Sequence, residues 1–299
     1  MIRLGVIGLS PGNGHPYSWS AICNGYDPAA MANCPFPAIP DYLSQHRFPD
    51  EFLRDVRVEA VWCQDRACAE HVAHAARIPR VVDRLEDLGE DADGILLARD
   101  DSQNHARFAR PFLAAGLPVF VDKPLATTLG EADALLAEQR HPTQIHTCSA
   151  FRYIPEVSPV APELAAIGPV RCVEASVGKA WATYSVHVLE PAVRLLEATD
   201  GDGETEVIRD GDAVTLRARW ADGRALKVTT TGQPAPADFR IHGARGTLDL
   251  RIQDPFFYFK AGLQAFTAQI RTGAVQVPRA ETRATIALIE RGMHEVGSP

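Results

Sequence analysis

Short apolar, β-branched runs recur through the first half of the sequence, at Ile2 to Ile7, Val56 to Trp62, Gly94 to Leu97, Val119 to Val121 and Thr143 to Cys148. Helix-period segments lie between them, at Ala67 to Ala76, Asn104 to Ala115 and Leu129 to Gln139. A strand that is apolar along its whole length must be covered on both faces. Helices between such strands are the connections that a parallel sheet requires, so the pattern predicts a parallel sheet between two helical layers. The punctuation agrees. Thr128 with Glu131 forms a capping box ahead of one helix, and Gly116 stands where the preceding helix should stop. Pro111 inside that helix predicts a kink or an early end.

The rhythm changes after about Tyr153. Val214, Leu216, Ala218 and Trp220 alternate with Thr215, Arg217 and Arg219, the period of a strand with one covered face, and Asp222-Gly223 then signals a hairpin into Leu226 to Thr231. Further strands are expected at Val170 to Val177, Phe239 to His242 and Thr247 to Ile252, with closing helices at Phe259 to Arg271 and Glu281 to His294. These elements describe an open, mainly antiparallel sheet with helices on one side. The chain thus divides into residues 1–150 and 151–299. The second sheet should leave one face available for association with another copy.

Five prolines between Pro28 and Pro49 exclude a long helix or a central strand there. The segment reads equally as a lid or as a packed insertion. Six cysteines without a CxxC pair argue for buried thiols over a zinc site or a disulfide framework, so no metal is expected. With 46% hydrophobic and 23% charged residues the chain is globular, and its formal charge of −8 with scattered basic residues gives no footprint for nucleic acid or anionic lipid. No apolar run approaches the ~20 residues of a membrane span. The first ten residues read as a strand where a cleavable leader would be basic and apolar, so a cytoplasmic location is expected.

Three constellations carry chemistry. The first is the turn Gly8-Leu9-Ser10-Pro11-Gly12-Asn13-Gly14-His15 between the first strand and a helical stretch at Tyr17 to Cys23. Such a turn brings backbone N–H groups to a diphosphate, which points to Gly8, Ser10, Gly12, Asn13 and Gly14, although Ser10 occupies the place of the second glycine of G-x-G-x-x-G. Beyond the second strand, Asp65 is suited to ribose hydroxyls and Arg66 to a 2′-phosphate, leaving NAD and NADP both open. The second constellation is Asp122-Lys123-Pro124 at the carboxyl end of a buried strand, where Lys123 can bond a substrate oxygen or oppose developing negative charge. The third is Trp181 to His187, opening a helix that runs to Leu196. Thr183, Tyr184 and His187 share a face there, and Pro191 should bend or interrupt the helix. A histidine can exchange a proton with an alcohol as hydride leaves, although a lone histidine in an apolar helix is more often a core residue.

Taken together, MIRLGVIGLS, ILLARDDSQNH, GLPVFVDKPLATT, FRYIPE, Gly168-Pro169-Val170 and the His187 helix resemble the glucose-fructose oxidoreductase / inositol dehydrogenase (Gfo/Idh/MocA) family over nearly the whole chain. The resemblance implies a Rossmann-like dinucleotide-binding domain followed by an open-sheet α/β domain, and a sugar, cyclitol or related polyol as substrate. It also implies a homo-oligomer, such as a dimer or tetramer. VDKPLATT matches the family's Glu-Lys-Pro motif with Asp122 in place of Glu. The motif lysine falls on Lys123, Asp100 lies in the matching segment after the fourth strand, and the catalytic histidine of D-x-x-x-H falls on His187. The aspartate of that pattern falls on Thr183, which cannot stabilise an imidazolium.

The expected activity is hydride transfer between a nicotinamide and a carbinol, with His187 as base in oxidation and acid in reduction. Lys123 orients the oxygen, and its ammonium and the His187 imidazole are expected to meet at one cleft. Tyr184 or Lys179 shares the proton traffic, and Arg152, Trp181 and Thr183 are candidates for binding substrate. Two rivals remain. One is a cofactor-binding sensor or structural subunit with little turnover, and the other is an enzyme that processes glycosides through transient oxidation.

Overall fold

The computed structural model describes residues 1–198, 203–252 and 254–294. They form two compact units that interleave in sequence. The first comprises Met1–Leu125, Asp133–Thr147 and Phe259–Gln276, and the second comprises Ala126–Ala132, Cys148–Tyr258 and the chain from Val277 onward.

In the first unit the chain runs through β1 (Ile2–Gly8), α1 (His15–Asn24), α2 (Pro28–Met31), α3 (Ala38–Leu43), β2 (Val56–Cys63), α4 (Arg66–Ala75), β3 (Arg80–Val81), β4 (Gly94–Leu97), α5 (His105–Ala114) and β5 (Val119–Val121). It then enters α6 (Leu129–Ala137) and β6 (Ile145–His146). The six strands pair in parallel in the order β3-β2-β1-β4-β5-β6. All four residues of β4 and all three of β5 are buried, so both faces of the sheet are covered. The order reverses between β1 and β4, and this is the place where open α/β sheets leave a crevice beyond their carboxyl ends.

Local differences from expectation have physical causes. The final strand covers only Ile145 and His146 of the expected Thr143 to Cys148, because side chains replace ladder bonds near its start: Ile145 N–H donates to Gln139 Oε1 at 3.0 Å. Pro111 does not end α5, which runs on to Ala114, and the helix stops at Gly116 with φ +84°. Half of the capping box forms, with Glu131 N–H donating to Thr128 Oγ1 at 3.2 Å, while the Glu131 carboxylate turns to Thr127 Oγ1. The proline-rich segment is a packed insertion. Met31 and Leu43 are fully buried, and Asp27 caps α2 by accepting from Ala30 N–H.

The second unit contains α7 (Pro162–Ile167), β7 (Val170–Val177), α8 (Trp181–Tyr184), α9 (Val186–Leu195), β8 (Gly203–Asp210), β9 (Ala213–Trp220), β10 (Ala225–Thr230), β11 (Asp238–Gly243) and β12 (Thr247–Arg251). Two further helices follow, α10 (Phe256–Thr272), whose residues from Phe259 on belong to the first unit, and α11 (Arg279–Met293). The strands lie in the order β12-β11-β7-β10-β9-β8, antiparallel except for the parallel pair β7 and β10. The hairpin at Asp222-Gly223 is present, with Gly223 at φ +89°. β8 carries no expected pattern because only two of its eight residues are even half-buried.

Val173, Leu216, Leu226, Val228 and Ile241 form one core with Val188, Leu189, Ala192 and Val193 of α9. The apolar side of the sheet is therefore covered within the unit. Its other side carries ion pairs, among them Arg240 with Asp249 at 2.7 Å and Arg251 with Asp238 at 2.6 Å. The alternation in β9 thus marks the covered face, as expected. The predicted single helix from Trp181 to Leu196 is corrected, since it breaks at Ser185, whose hydroxyl bonds back to the Trp181 carbonyl at 2.6 Å. Pro191 lies inside α9 without ending it.

Candidate active site

In the first unit, the carboxyl ends of β1, β2, β4 and β5 hold a polar network that crosses the β1/β4 switch point. Arg99, 3% exposed, donates to the Leu9 carbonyl and to Gln64 Oε1, both at 2.5 Å, and makes two bonds to the Asp101 carboxylate. The guanidinium fork suits this task, since it spans a carbonyl, an amide and a carboxylate in one plane. Beside it, Ser10 Oγ donates to Asp100 Oδ1 at 2.7 Å, and Asp100 N–H returns a bond to the same hydroxyl. Lys123 Nζ lies 3.7 Å from the other oxygen of Asp100. The motif lysine is thus anchored at the switch point by a carboxylate that belongs to the segment after β4.

The turn itself has an inner and an outer side. Asn13 is buried, donates to Asp122 Oδ2 at 2.6 Å and accepts from His15 N–H at 2.8 Å. Asp122, with no exposed surface, also bonds His15 Nδ1 at 2.6 Å and the Lys123 N–H at 2.8 Å. Burial opposes a charge on Asp122, but the facing charges of His15 and Lys123 outweigh it and hold the carboxyl down at about 2. Ser10 and Asn13 therefore spend their side chains holding the turn to the sheet. On the outer side, Gly12 has φ +83° and a Cβ there would meet nothing within 4 Å. Its N–H makes no hydrogen bond among the described residues. Gly8 is required for a different reason, since a Cβ would lie 2.4 Å from Cγ of Pro16 at the start of α1. Gly14 is closed off by Phe36 and Ile39 of the insertion.

A nicotinamide dinucleotide fits these residues. Gly12 is an open cradle of backbone at the switch point, and Lys123 lies at the neighbouring strand end. The first N–H of α1 is already taken by Asn13, so the anion-binding capacity lies with the turn more than with the helix end. Beyond β2, Asp65 caps α4 by accepting from Cys68 N–H, and Arg66 pairs with Glu70 and Asp83.

In the second unit, His187 near the start of α9 is 9% exposed. Its Nδ1 lies 2.9 Å from Ser149 Oγ, and the rings of Phe151 and Tyr184 flank it at 5.0 and 5.5 Å. Lys179 Nζ bonds Tyr184 OH at 2.5 Å, so the two second-choice proton carriers form a pair of their own. Thr183, where the family has its aspartate, is half-buried. Trp181 is buried and donates to the Ile289 carbonyl, while Gly292 leaves room for its ring.

Arg152 is buried between two carboxylates, 2.6 Å from Glu281 and 3.3 Å from Glu190. Glu190 also accepts from Ser149 N–H at 2.5 Å. Burial dominates at Glu190 and pushes its carboxyl up to about 7 in spite of Arg152, whereas the two glutamates raise the Arg152 guanidinium. The guanidinium lies closer to Glu281 than to Glu190.

Four groups of these two networks, Arg99 in the first unit and three in the second, escape sequence reasoning. Arg99, Ser149 and Glu281 carry no local signal, because their partners are remote in the chain. Glu190 does carry one: it is a lone carboxylate in VHVLEPAV, three residues from His187, and an acid in an apolar stretch needs a buried partner.

Comparison with known proteins agrees with this architecture. Residues 40–147 match an oxidoreductase family with an NAD-binding Rossmann fold, GFO_IDH_MocA. No curated protein sequence matches the chain significantly. Among solved structures, the myo-inositol dehydrogenase of Lactobacillus casei in complex with NAD(H) and myo-inositol is similar with a TM-score of 0.71 at 16% identity, covering 100% of this chain and 98% of that one. The UDP-N-acetylglucosamine 3-dehydrogenase of Acidithiobacillus ferrooxidans gives 0.69 at 17% identity, with 97% and 96% covered. The myo-inositol dehydrogenase of Corynebacterium glutamicum gives 0.70 at 13% identity, with 97% and 95% covered. At such identities the likeness is one of fold, and it extends over nearly the whole of each chain. Among the described residues no helix is long and apolar enough to cross a membrane. Residues 40–147 thus match the NAD-binding Rossmann fold of the GFO_IDH_MocA oxidoreductase family, and the solved structures share the fold of nearly the whole chain.

Proposed function

We propose that the protein is a nicotinamide-dependent dehydrogenase or reductase acting on a carbinol or carbonyl of a sugar, cyclitol or related polyol. The observation that carries this reading is Lys123, held to Asp100 at the β1/β4 switch point beside the open backbone of Gly12. The bound nicotinamide supplies the hydride acceptor or donor. The chain supplies the rest, with Lys123 orienting the reacting oxygen and His187 as the second catalytic group. Arg99 and Asp122 fix the strand ends and the turn on which Lys123 depends. The solved relatives named for inositol and UDP-N-acetylglucosamine dehydrogenases support a polyhydroxylated substrate.

NAD is preferred to NADP in this reading. Arg66 is paired with Glu70 and Asp83, and a 2′-phosphate would have to displace both carboxylates and face their charge. Association as a dimer or tetramer would use the ion-paired face of the second sheet and weaken with salt, as sedimentation at rising ionic strength would record.

The test follows nicotinamide absorbance while a panel of polyols is supplied, with Lys123→Ala and His187→Ala alongside. Turnover in the parent chain and its loss by ~100-fold or more in both variants, with cofactor binding retained in His187→Ala, is expected. Full turnover by His187→Ala refutes its role. A cofactor-binding protein with little turnover is the second reading, and the hydroxyl of Ser149 at His187 Nδ1, where a carboxylate would stabilise an imidazolium, favours it. Tight NAD binding with no converted polyol would establish that reading instead.

A further inference from the structure

We infer that Ser149 is a positioning residue that fixes the tautomer of His187, placing the ring proton on Nε2 and keeping the imidazole neutral. The catalytic meaning of this inference rests on the dehydrogenase reading, but the tautomer itself does not. Ser149 has no exposed surface and begins the 3-10 turn Ala150–Tyr153. Its three polar groups are all committed, the carbonyl accepting from Arg152 N–H at 3.1 Å. The backbone N–H donates to Glu190 Oε2 at 2.5 Å, and the hydroxyl oxygen accepts from Phe151 N–H at 3.2 Å. The hydroxyl proton then has one acceptor within hydrogen-bond distance among the described residues, His187 Nδ1 at 2.9 Å.

A serine hydroxyl has one proton to give, and here it can give it only to an unprotonated Nδ1. A neutral imidazole that accepts at Nδ1 carries its hydrogen on Nε2, on the far side of the ring from Ser149. Forming the imidazolium would put a second N–H against Ser149 Oγ and turn the hydroxyl proton into a buried donor with no acceptor. A carboxylate at this position has the opposite effect, because it favours an N–H at Nδ1 and stabilises the cation. With Ser149 at Nδ1, His187 is a neutral hydrogen-bond donor through Nε2 that polarises a bound oxygen without surrendering its proton.

The test is nitrogen NMR of the uniformly ¹⁵N-labelled, full-length protein at neutral pH, with the His187 ring signals assigned by their loss in His187→Gln. The expected result is an acceptor-type Nδ1 and an N–H-type Nε2 in the parent chain. In Ser149→Ala the two nitrogens should move toward a mixture of tautomers, and Ser149→Thr, which retains the hydroxyl, should restore the parent pattern. An N–H at Nδ1 in the parent chain overturns the inference outright, whether or not any variant folds. So does an unchanged pair of shifts in a folded Ser149→Ala. Because the spectra require no substrate, failure to convert any polyol would count against the dehydrogenase reading alone.

Discussion

Replacing Glu190 by glutamine should make the protein's stability less sensitive to pH between about 4.5 and 7, and in a direction opposite to that of a usual salt bridge. In the native state burial pushes this carboxyl from 4.5 up to about 7, and the chain must release a proton there to ionise. The unfolded chain ionises near 4.5, so between the two values it binds fewer protons than the native state, and stability falls as pH rises. At about 1.4 kcal/mol per pH unit, that interval amounts to roughly 3 kcal/mol. Glutamine keeps the shape and has no proton to lose, but its single oxygen can accept from only one of Ser149 N–H and Arg152, so the comparison reads the pH slope and not the absolute stability. Denaturant unfolding of both proteins at pH 5 and pH 7.5 measures the effect. The stability of Glu190→Gln relative to the parent should rise by roughly 2 to 3 kcal/mol over that range. Equal pH slopes, or a parent chain that gains stability from this group as pH rises, would show Glu190 to be ionised and bound to Arg152 throughout, and would refute the reasoning.

Asp122→Asn should cost about 2 kcal/mol or more at neutral pH, because the parent carboxyl is held at about 2 by His15 and Lys123. That difference should be present above about pH 4 and fade as pH falls through 2. Gly8→Ala should lower stability by about 1–3 kcal/mol and weaken NAD binding, since its methyl would lie 2.4 Å from Pro16 Cγ. Gly12→Ala, with open space at its Cβ, should cost only about 1 kcal/mol, from the left-handed backbone alone. Equal thermal shifts for these two variants would contradict their separate roles. Calorimetry should find NAD bound more tightly than NADP, and Arg66→Ala should leave NAD affinity within about threefold, since Arg66 is occupied by Glu70 and Asp83. Tighter binding of NADP would overturn that assignment.

Much of the architecture was legible in residue order. Fully apolar β4 and β5, the glycine turn after β1 and the Asp222-Gly223 hairpin are local patterns whose meaning follows from backbone sterics and burial. Local chemistry misled where a remote partner intervened. Pro111 and Pro191 sit inside continuous helices held by packing, and the first helix of the His187 region ends at Ser185 through a hydroxyl that offered no periodic signal. The proline-rich segment read equally as lid or packing until Met31 and Leu43 were found buried. The alternation in β9 marked one covered face, and only the fold showed that α9 covers it within the same unit.

Family resemblance singled out Lys123 and His187, while residue order by itself determined the alternation of strands and helices and the glycine turn after β1. Those are properties of short segments, set by φ/ψ preference and by which face of each segment is apolar. Tertiary structure alone decided that Arg99 ties three strand ends together, that Asp100 is the partner of Lys123, that Ser149 meets Nδ1 of His187, and that Phe259–Gln276 rejoin the first unit. Each is a contact between residues far apart in the chain. Such contacts arise when buried polar groups must find partners wherever the packed fold brings them, and no periodicity along the chain records that choice.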